Sequence, residues 1–395
     1  MEQDPEYLKS FDGPLKIPKL GRAGMVEILR DAIVFSTWSW DVFNVPERIA
    51  LALASRGSRV LYSEMPVSRF RQGGKALHEV KPHVYRFGPK YFGAKLTRLP
   101  VAGNLQWKIV ARQVIACARQ LKLRDPWFLY SHVDGIAPLC EEMRSAGFPL
   151  IHICMDYPEP YQHELIELSD QTLVIPKSVF RELQAKYGPK IEWIPQSIHL
   201  PASLIAAQPQ RNGSHPEPVE LRAVPRPRLG YLGPIFARVN LPLLREVLAR
   251  NPGWHFVYFS ESKDLALPNA HGLVWHPPEE LPGFVASFDV GLMPYDCTDN
   301  KNLHCSPLKL FDYFLAGLPV VATPILELSE YQDLIYSGKT ARELSDAILR
   351  ALEEPADSPK RERRRAVARA HSTEALGQRL EEVLGSLEAR GREKL

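Results

Sequence analysis

Two groups in this sequence combine reactive chemistry with a telling local setting: a lysine near a capped helix start, and an aspartate at the end of a buried strand. The lysine lies in NLHCSPLKLFDYFLAGLPVVAT, residues 302–323. Ser306 has the short polar side chain of an N-cap, Pro307 suits the first helical position, Gly317 can close the helix in a left-handed conformation, and Pro319 prevents a restart. Leu308, Phe311 and Leu315 then share a buried stripe, Lys309 and Asp312 share another face, and 318–323 continues as a buried strand. A helix start presents free N–H groups and the positive end of the dipole. With Lys309 one turn in, it makes a cradle for phosphate oxygens. A purely structural αβ unit with an exposed lysine would use the same residues.

The aspartate is Asp156, directly after the apolar run PLIHICM of residues 149–155. Desolvation between Met155 and Tyr157 would raise its pKa toward that of a general base, whereas a cap or turn before Pro158 is the structural alternative. Arg238, in the loop ahead of a helix over 240–250, either reaches a phosphate or is simply exposed. The loop Thr37-Trp38-Ser39-Trp40-Asp41 follows a short apolar strand at 32–36. Trp38, Trp40 and Asp41 there make either a sugar-stacking wall with a hydrogen-bonding carboxylate or part of the core. No G-x-G-x-x-G fingerprint occurs in that loop, which disfavours a dinucleotide site.

These groups sit in a repeating strand–helix pattern. DAIVFSTWSWDVFNVPERIALALASRGSRVLY reads as a βαβ unit, with Asn44 and Glu47 as a capping-box-like start and Gly57 as the stop. Strands at 127–131, 149–155, 172–175 and 191–194 follow, with helices at 137–146 and 178–186. The stretch AAQPQRNGSHPEPVELRAVPRPR is polar and proline-dense, as linkers are. The pattern then restarts with strands at 228–232, 255–259, 272–275 and 290–294. The loop with His276 and the turn with Gly233 lie at strand ends, where ligands of such sheets bind. A helix at 279–287 follows, and the last segment is helical, its Arg/Glu run over 360–369 reading as a solvated face.

The whole chain bounds these readings. Its 395 residues suggest two domains of about 200 each, and 45% hydrophobic with 24% charged residues is a globular composition. Five scattered cysteines without a C-x-x-C pair argue against a disulfide framework or zinc knuckle and fit a reducing cytosol. Residues 1–30 lack a signal-peptide core and read as an irregular extension. Net charge is only +3, yet residues 69–124 hold 13 Lys or Arg against the single acid Glu79. Such a sector is either solvated charge or an attraction for anionic lipid headgroups. No nucleic-acid-binding motif accompanies it.

With these pieces in order, the chain resembles the GT-B glycosyltransferases, and among them bacterial enzymes that assemble cell-surface polysaccharides. The resemblance covers residues 31–390 and is carried by WSWDVFNVPERIALALASRGSRVLY, RPRLGYLGPIFARVNLPLLREVL, EELPGFVASFDVGLMPY and SPLKLFDYFLAGLPVVATP. It implies an α/β fold of two Rossmann-like domains facing each other across a cleft: an extension at 1–30, an acceptor domain at 31–205, a linker at 206–228, a nucleotide-sugar domain at 229–370 and a terminal helix at 371–395. It implies transfer of a hexosyl or glycuronosyl group from a nucleotide-diphosphate sugar, UDP-linked for preference, to a lipid-linked or polysaccharide hydroxyl, with no cofactor and no metal. The enzyme would work in the cytoplasm, peripheral at the inner face of the membrane.

Matched by position, Lys309, Ser306 and Arg238 take the diphosphate. Asp312 takes the ribose or donor sugar, and Gly233, His276, Tyr295 and His304 belong to the nucleotide and sugar side. Many retaining relatives carry two glutamates where this chain has His304 and Asp312, and many have a histidine where it has Asp156. Certain inverting members have an aspartate there as the general base. A nucleotide-sugar epimerase of the same fold and a non-catalytic nucleotide-sugar-binding protein are the alternatives.

Overall fold

The computed structural model describes residues 30–40, 44–68, 76–91, 100–131, 133–198, 217–233, 235, 238–259, 265–277 and 280–392. Asp41, the N-terminal extension and part of the basic sector lie outside them. The chain builds two open sheets. In spatial order the first runs Ile191–Trp193, Gln171–Val174, Leu150–Cys154, Trp127–Ser131, Ala32–Phe35, Val60–Ser63, Val84–Phe87 and His78–Lys81. All pairs are parallel except the edge strand His78–Lys81. The second runs Ala270–Leu273, His255–Phe259, Arg228–Tyr231, Val290–Met293, Val320–Ala322 and Ile335–Ser337, parallel throughout.

Parallel strands covered on both faces must be apolar on both, which is why the runs AIVF, WFLYS, LIHIC and VGLM are buried at every position. In the first sheet alternate residues feed opposite layers. Ala32, Val34, Val60 and Leu129 meet helix Val45–Ser55, while Ile33, Phe35, Leu61 and Phe128 meet Val110, Val114 and Met143. The final helix, Thr373–Arg392, returns to the first domain, where Leu376, Leu380, Val383 and Leu384 join the layer of helix Val45–Ser55. Each such burial contributes roughly 1.5–3 kcal/mol.

Each sheet reverses direction beside its first strand. The second does so between Arg228–Tyr231 and Val290–Met293, so a crevice opens at Tyr231 and just beyond Met293, the expected ligand position of an open α/β sheet.

Several expectations are corrected. The span between the strands Val60–Ser63 and Trp127–Ser131, read from sequence only for its charge, holds the hairpin His78–Lys81 with Val84–Phe87 and the 21-residue helix Pro100–Gln120. The strand expected at 272–275 lies two residues earlier, because Ala270 pairs with Phe256 while Val274 and Trp275 stand exposed. The Arg/Glu run forms its own helix, Pro359–Ala370, and is not wholly solvated. Arg364 is fully buried and forks onto Glu354 at 2.6 and 2.7 Å.

Candidate functional site

The helix of the opening motif spans Leu308–Leu315. Pro307 takes the cap position with extended backbone (φ −76°, ψ 118°), which leaves Ser306 one residue outside the cap. The Ser306 carbonyl instead accepts from Gln196 Nε2 of the first domain at 3.0 Å. The expected capping role of Ser306 is therefore wrong by one position; Leu310 N donates to the Pro307 carbonyl at 3.1 Å, while Leu308 and Lys309 precede the first possible intrahelical acceptor. The buried face is Leu310, Phe311, Tyr313 and Phe314; Leu308 and Leu315 are only half-buried. Gly317 does close the helix, at φ +67°.

Tyr313 fixes this helix to the crevice. Its hydroxyl donates to Gly230 O at 3.1 Å and accepts from Leu232 N at 3.0 Å. Lys309 consequently projects into the switch point of the second sheet. Its Nζ donates to Tyr295 Oη at 2.6 Å and approaches Tyr231 Oη at 3.4 Å. Tyr295 thus serves the lysine, a contact the sequence reading did not foresee. Burial pushes the Lys309 ammonium down to about 8, with Arg238 adding to the effect and Cys305 and Asp312 opposing it. Gly233 lies alongside at φ +116°.

One turn on, burial pushes the Asp312 carboxyl up, against the pull of Arg48 and Lys309. Arg48 is a buried residue of the first domain that also donates to Ser197 O. Sequence reasoning passed over it, since nothing local sets it apart in VPERIALALAS.

Across the cleft, Arg238 Nη2 donates to Asp156 Oδ1 at 3.0 Å, and Nη1 donates to Lys301 O at 3.0 Å and to Asn302 Oδ1 at 3.3 Å. Burial opposes the Arg238 charge, but Asp156 and its other neighbours outweigh it and raise the pKa. Asp156 is therefore not in the closed apolar pocket expected between Met155 and Tyr157. Its side chain is 32% exposed and ion-paired. Glu159 and Lys301 form a second pair across the same opening.

His304 stands between the domains. Its Nδ1 is 3.0 Å from Ser178 Oγ and its ring lies 4.9 Å from that of Tyr157. Burial lowers its pKa, with Glu182 opposing. His276 sits apart from Lys309 in the contacts it makes, packing 4.6 Å from the Phe284 ring and meeting Glu280 at 2.8 Å.

Of the loop tryptophans, Trp40 is only 8% exposed and packs edge-on to Tyr62 at 5.0 Å, so it is core and not a substrate wall. Trp38 is 43% exposed. An unforeseen network holds this loop: Glu64 Oε1 accepts from Trp40 N at 2.8 Å, Ser39 Oγ at 3.0 Å and Arg86 Nε at 2.6 Å. The structure thus brings together Lys309, Tyr295, Gly233, Asp312, Arg238, Asp156 and His304, places Trp40 in the core, and sets His276 against Phe284, Glu280 and Glu220.

No family model matches the chain. TuaH of Bacillus subtilis (strain 168), provisionally described as a glycosyltransferase of teichuronic acid biosynthesis, is 28% identical over 173 residues. That match covers 40% of this chain and 43% of the relative, so the chain spans less than half the length of that protein. An α,α-trehalose 6-phosphate synthase from Burkholderia multivorans superimposes with a TM-score of 0.65 at 14% identity, over 92% of this chain and all of that one. A sucrose-phosphate synthase from Thermosynechococcus elongatus gives 0.64 at 14%, again over 92% and 100%. The Escherichia coli trehalose-6-phosphate protein bound with UDP-2-fluoro glucose gives 0.61 at 13%, over 90% and 98%. At these identities the likeness is one of fold, and the fold is GT-B: two Rossmann-like domains facing each other across a cleft.

Proposed function

We propose that this chain is a glycosyltransferase that moves a sugar from a nucleotide-diphosphate sugar, UDP-linked for preference, to a hydroxyl of a lipid-linked or polysaccharide acceptor. The observation that carries the reading is Lys309 at the switch point of the second sheet, in the same domain as Arg238, whose guanidinium meets Asp156 of the first domain across the cleft. In an inverting transfer, Asp156 takes the proton of the acceptor hydroxyl as its oxygen bonds to the anomeric carbon. The bond from that carbon to the diphosphate breaks, and its electron pair leaves on the diphosphate, whose charge Lys309, Arg238 and the helix start at Leu308 offset. Transfer without a metal is part of this proposal, because these cations do the work a bound ion does elsewhere. Likeness in fold to a protein bound with UDP-2-fluoro glucose supports the donor, and the partial match to TuaH supports a surface-polysaccharide acceptor.

The reading extends to the inner face of the membrane. Leu105, Arg112 and Arg119 recur at seven-residue spacing along helix Pro100–Gln120, and Leu105 is 58% exposed. Arg112, Arg119, Lys122 and Arg124 are exposed with it, whereas Arg86 is buried against Glu64. Among the described residues no helix is long and apolar enough to cross a membrane. Sedimentation with vesicles of anionic lipid, but not with neutral ones, is the expected result.

Incubation with a panel of nucleotide sugars, with and without acceptor, tests the activity. Sugar transfer that depends on acceptor supports the proposal, and Lys309→Ala should slow it about 10²-fold. An altered free nucleotide sugar without acceptor would make the protein an epimerase, and binding without any turnover would make it a non-catalytic binder.

A further inference from the structure

Lys309 is served by one tyrosine from each strand that borders the crevice. Tyr231 ends the strand Arg228–Tyr231, and Tyr295 follows the strand Val290–Met293. Besides its hydrogen bond to Tyr295, the ammonium lies 4.5 Å from the centre of the Tyr231 ring and 5.1 Å from that of Tyr295. Both tyrosines are buried and meet edge-on at 6.4 Å. Thr323 Oγ1 donates to the Tyr295 carbonyl at 2.9 Å and anchors that residue to the neighbouring strand. Gly233 stands on another side, where a Cβ would meet Nζ at 3.6 Å, so residue 233 puts no side chain of its own against the ammonium.

A lysine is a compact charge on a flexible stem, and fixing its direction needs partners. A carboxylate partner would hold the ammonium but would also repel an arriving phosphate. A phenol holds it without charge, and burial keeps the Tyr295 hydroxyl well above its ordinary pKa, hence neutral. We propose that Tyr295, with Tyr231 beside it, is the positioning residue that aims Lys309 at the diphosphate of the donor. The inference rests on the reading of Lys309 as a diphosphate ligand and adds the group through which that ligand is directed.

The test compares titrations of the full chain with UDP and with uridine, which lacks the diphosphate. Tyr295→Phe keeps both rings and removes only the hydroxyl. It should raise the Kd for UDP about tenfold, as loss of one hydrogen bond to a charged group does, and leave uridine unchanged. Tyr231→Phe, at the longer 3.4 Å contact, should change either Kd less than about threefold. Equal weakening of UDP and uridine by Tyr295→Phe, or no weakening of UDP, overturns the inference while sparing the role of Lys309. Equal affinity of the unaltered chain for UDP and uridine overturns the Lys309 reading itself and the inference with it.

A pH profile adds a readout that a structural role would not move. The groups facing Lys309 are Tyr231, Tyr295, Cys305, Asp312 and Arg238. Its ammonium is held down to about 8, and the diphosphate binds the charged form, so binding above that pH takes up a proton. UDP affinity should therefore fall as pH rises through 8, by up to about tenfold per unit. In Tyr295→Phe the fall should begin at lower pH, because the charged form has lost an acceptor. An unshifted profile counts against the proposal.

Discussion

Arg238 of the second domain and Asp156 of the first hold each other at 3.0 Å across the cleft. The same guanidinium cannot keep that carboxylate and take up a diphosphate in full. Asp156→Asn should lower sugar transfer about 10²- to 10⁴-fold, the span of a lost general base, while UDP binds at least as tightly because Arg238 is released. Initial rates and a UDP titration check both halves, and near-normal transfer by the variant would remove Asp156 from the chemistry.

Trp38 and Trp40 are two residues apart and should behave oppositely. Trp40→Ala empties a core position against Tyr62 and should cost about 3–5 kcal/mol in denaturant unfolding. Trp38→Ala, at an exposed position, should leave stability within about 0.5 kcal/mol and raise KM for the acceptor. An unchanged acceptor KM would leave Trp38 without a substrate role.

Arg363 and Arg364 separate surface from interior on one helix. Arg364 and Glu354 are buried together, so Arg364→Ala breaks a buried ion pair and should destabilise by about 3–5 kcal/mol. The Arg363 ion pair with Asp333 is exposed, and Arg363→Ala should cost less than about 1 kcal/mol. Comparable unfolding midpoints for the two variants would contradict this.

Glu327, from the turn Leu326–Tyr331 of the second domain, caps a helix of the first. It accepts from Lys177 N at 2.8 Å and Ser178 N at 3.2 Å, at the start of helix Lys177–Tyr187. Burial pushes its carboxyl up to about 7, with those two amides opposing. Since the folded value lies above the unfolded one, the folded chain holds the extra proton, and the stability this lends at low pH is lost as pH rises from about 4.5 through 7. Relative to Glu327→Gln, the unaltered chain should therefore lose several degrees of melting temperature between pH 5 and 8. A difference that stays flat over that window would show that Glu327 does not titrate there.

The strand–helix alternation was legible because parallel strands buried on both faces are continuous apolar runs, as in WFLYS and VGLM. Lys309 was legible because a glycine stop and a proline-marked start outline its helix. Ser306 was misplaced because Ser-Pro is compatible with either register of cap, and contact with Gln196 of another domain selects between them. The roles of Tyr231, Tyr295, Arg48, Glu64 and Glu327 depend on partners 14 to 150 residues away in the chain, which no local pattern encodes. Arg364 was misread for the same reason: within KRERRRAVARA every arginine looks alike, and only the return of Glu354 distinguishes one.

Helix Thr373–Arg392 covers helix Val45–Ser55, with Arg56 paired to Glu381 at 2.5 Å and Arg379 donating to Trp193 O at 3.0 Å. The order of synthesis therefore runs against the order of completion. A ribosome can finish the second sheet and its helices while Ile49 and Leu53 of the first domain still lack the leucines that will cover them. Domains usually fold as units in the order they emerge. Here a face of the first domain is covered by helix Thr373–Arg392, which emerges only after both sheets, and until then that apolar face stays open to solvent or to a chaperone.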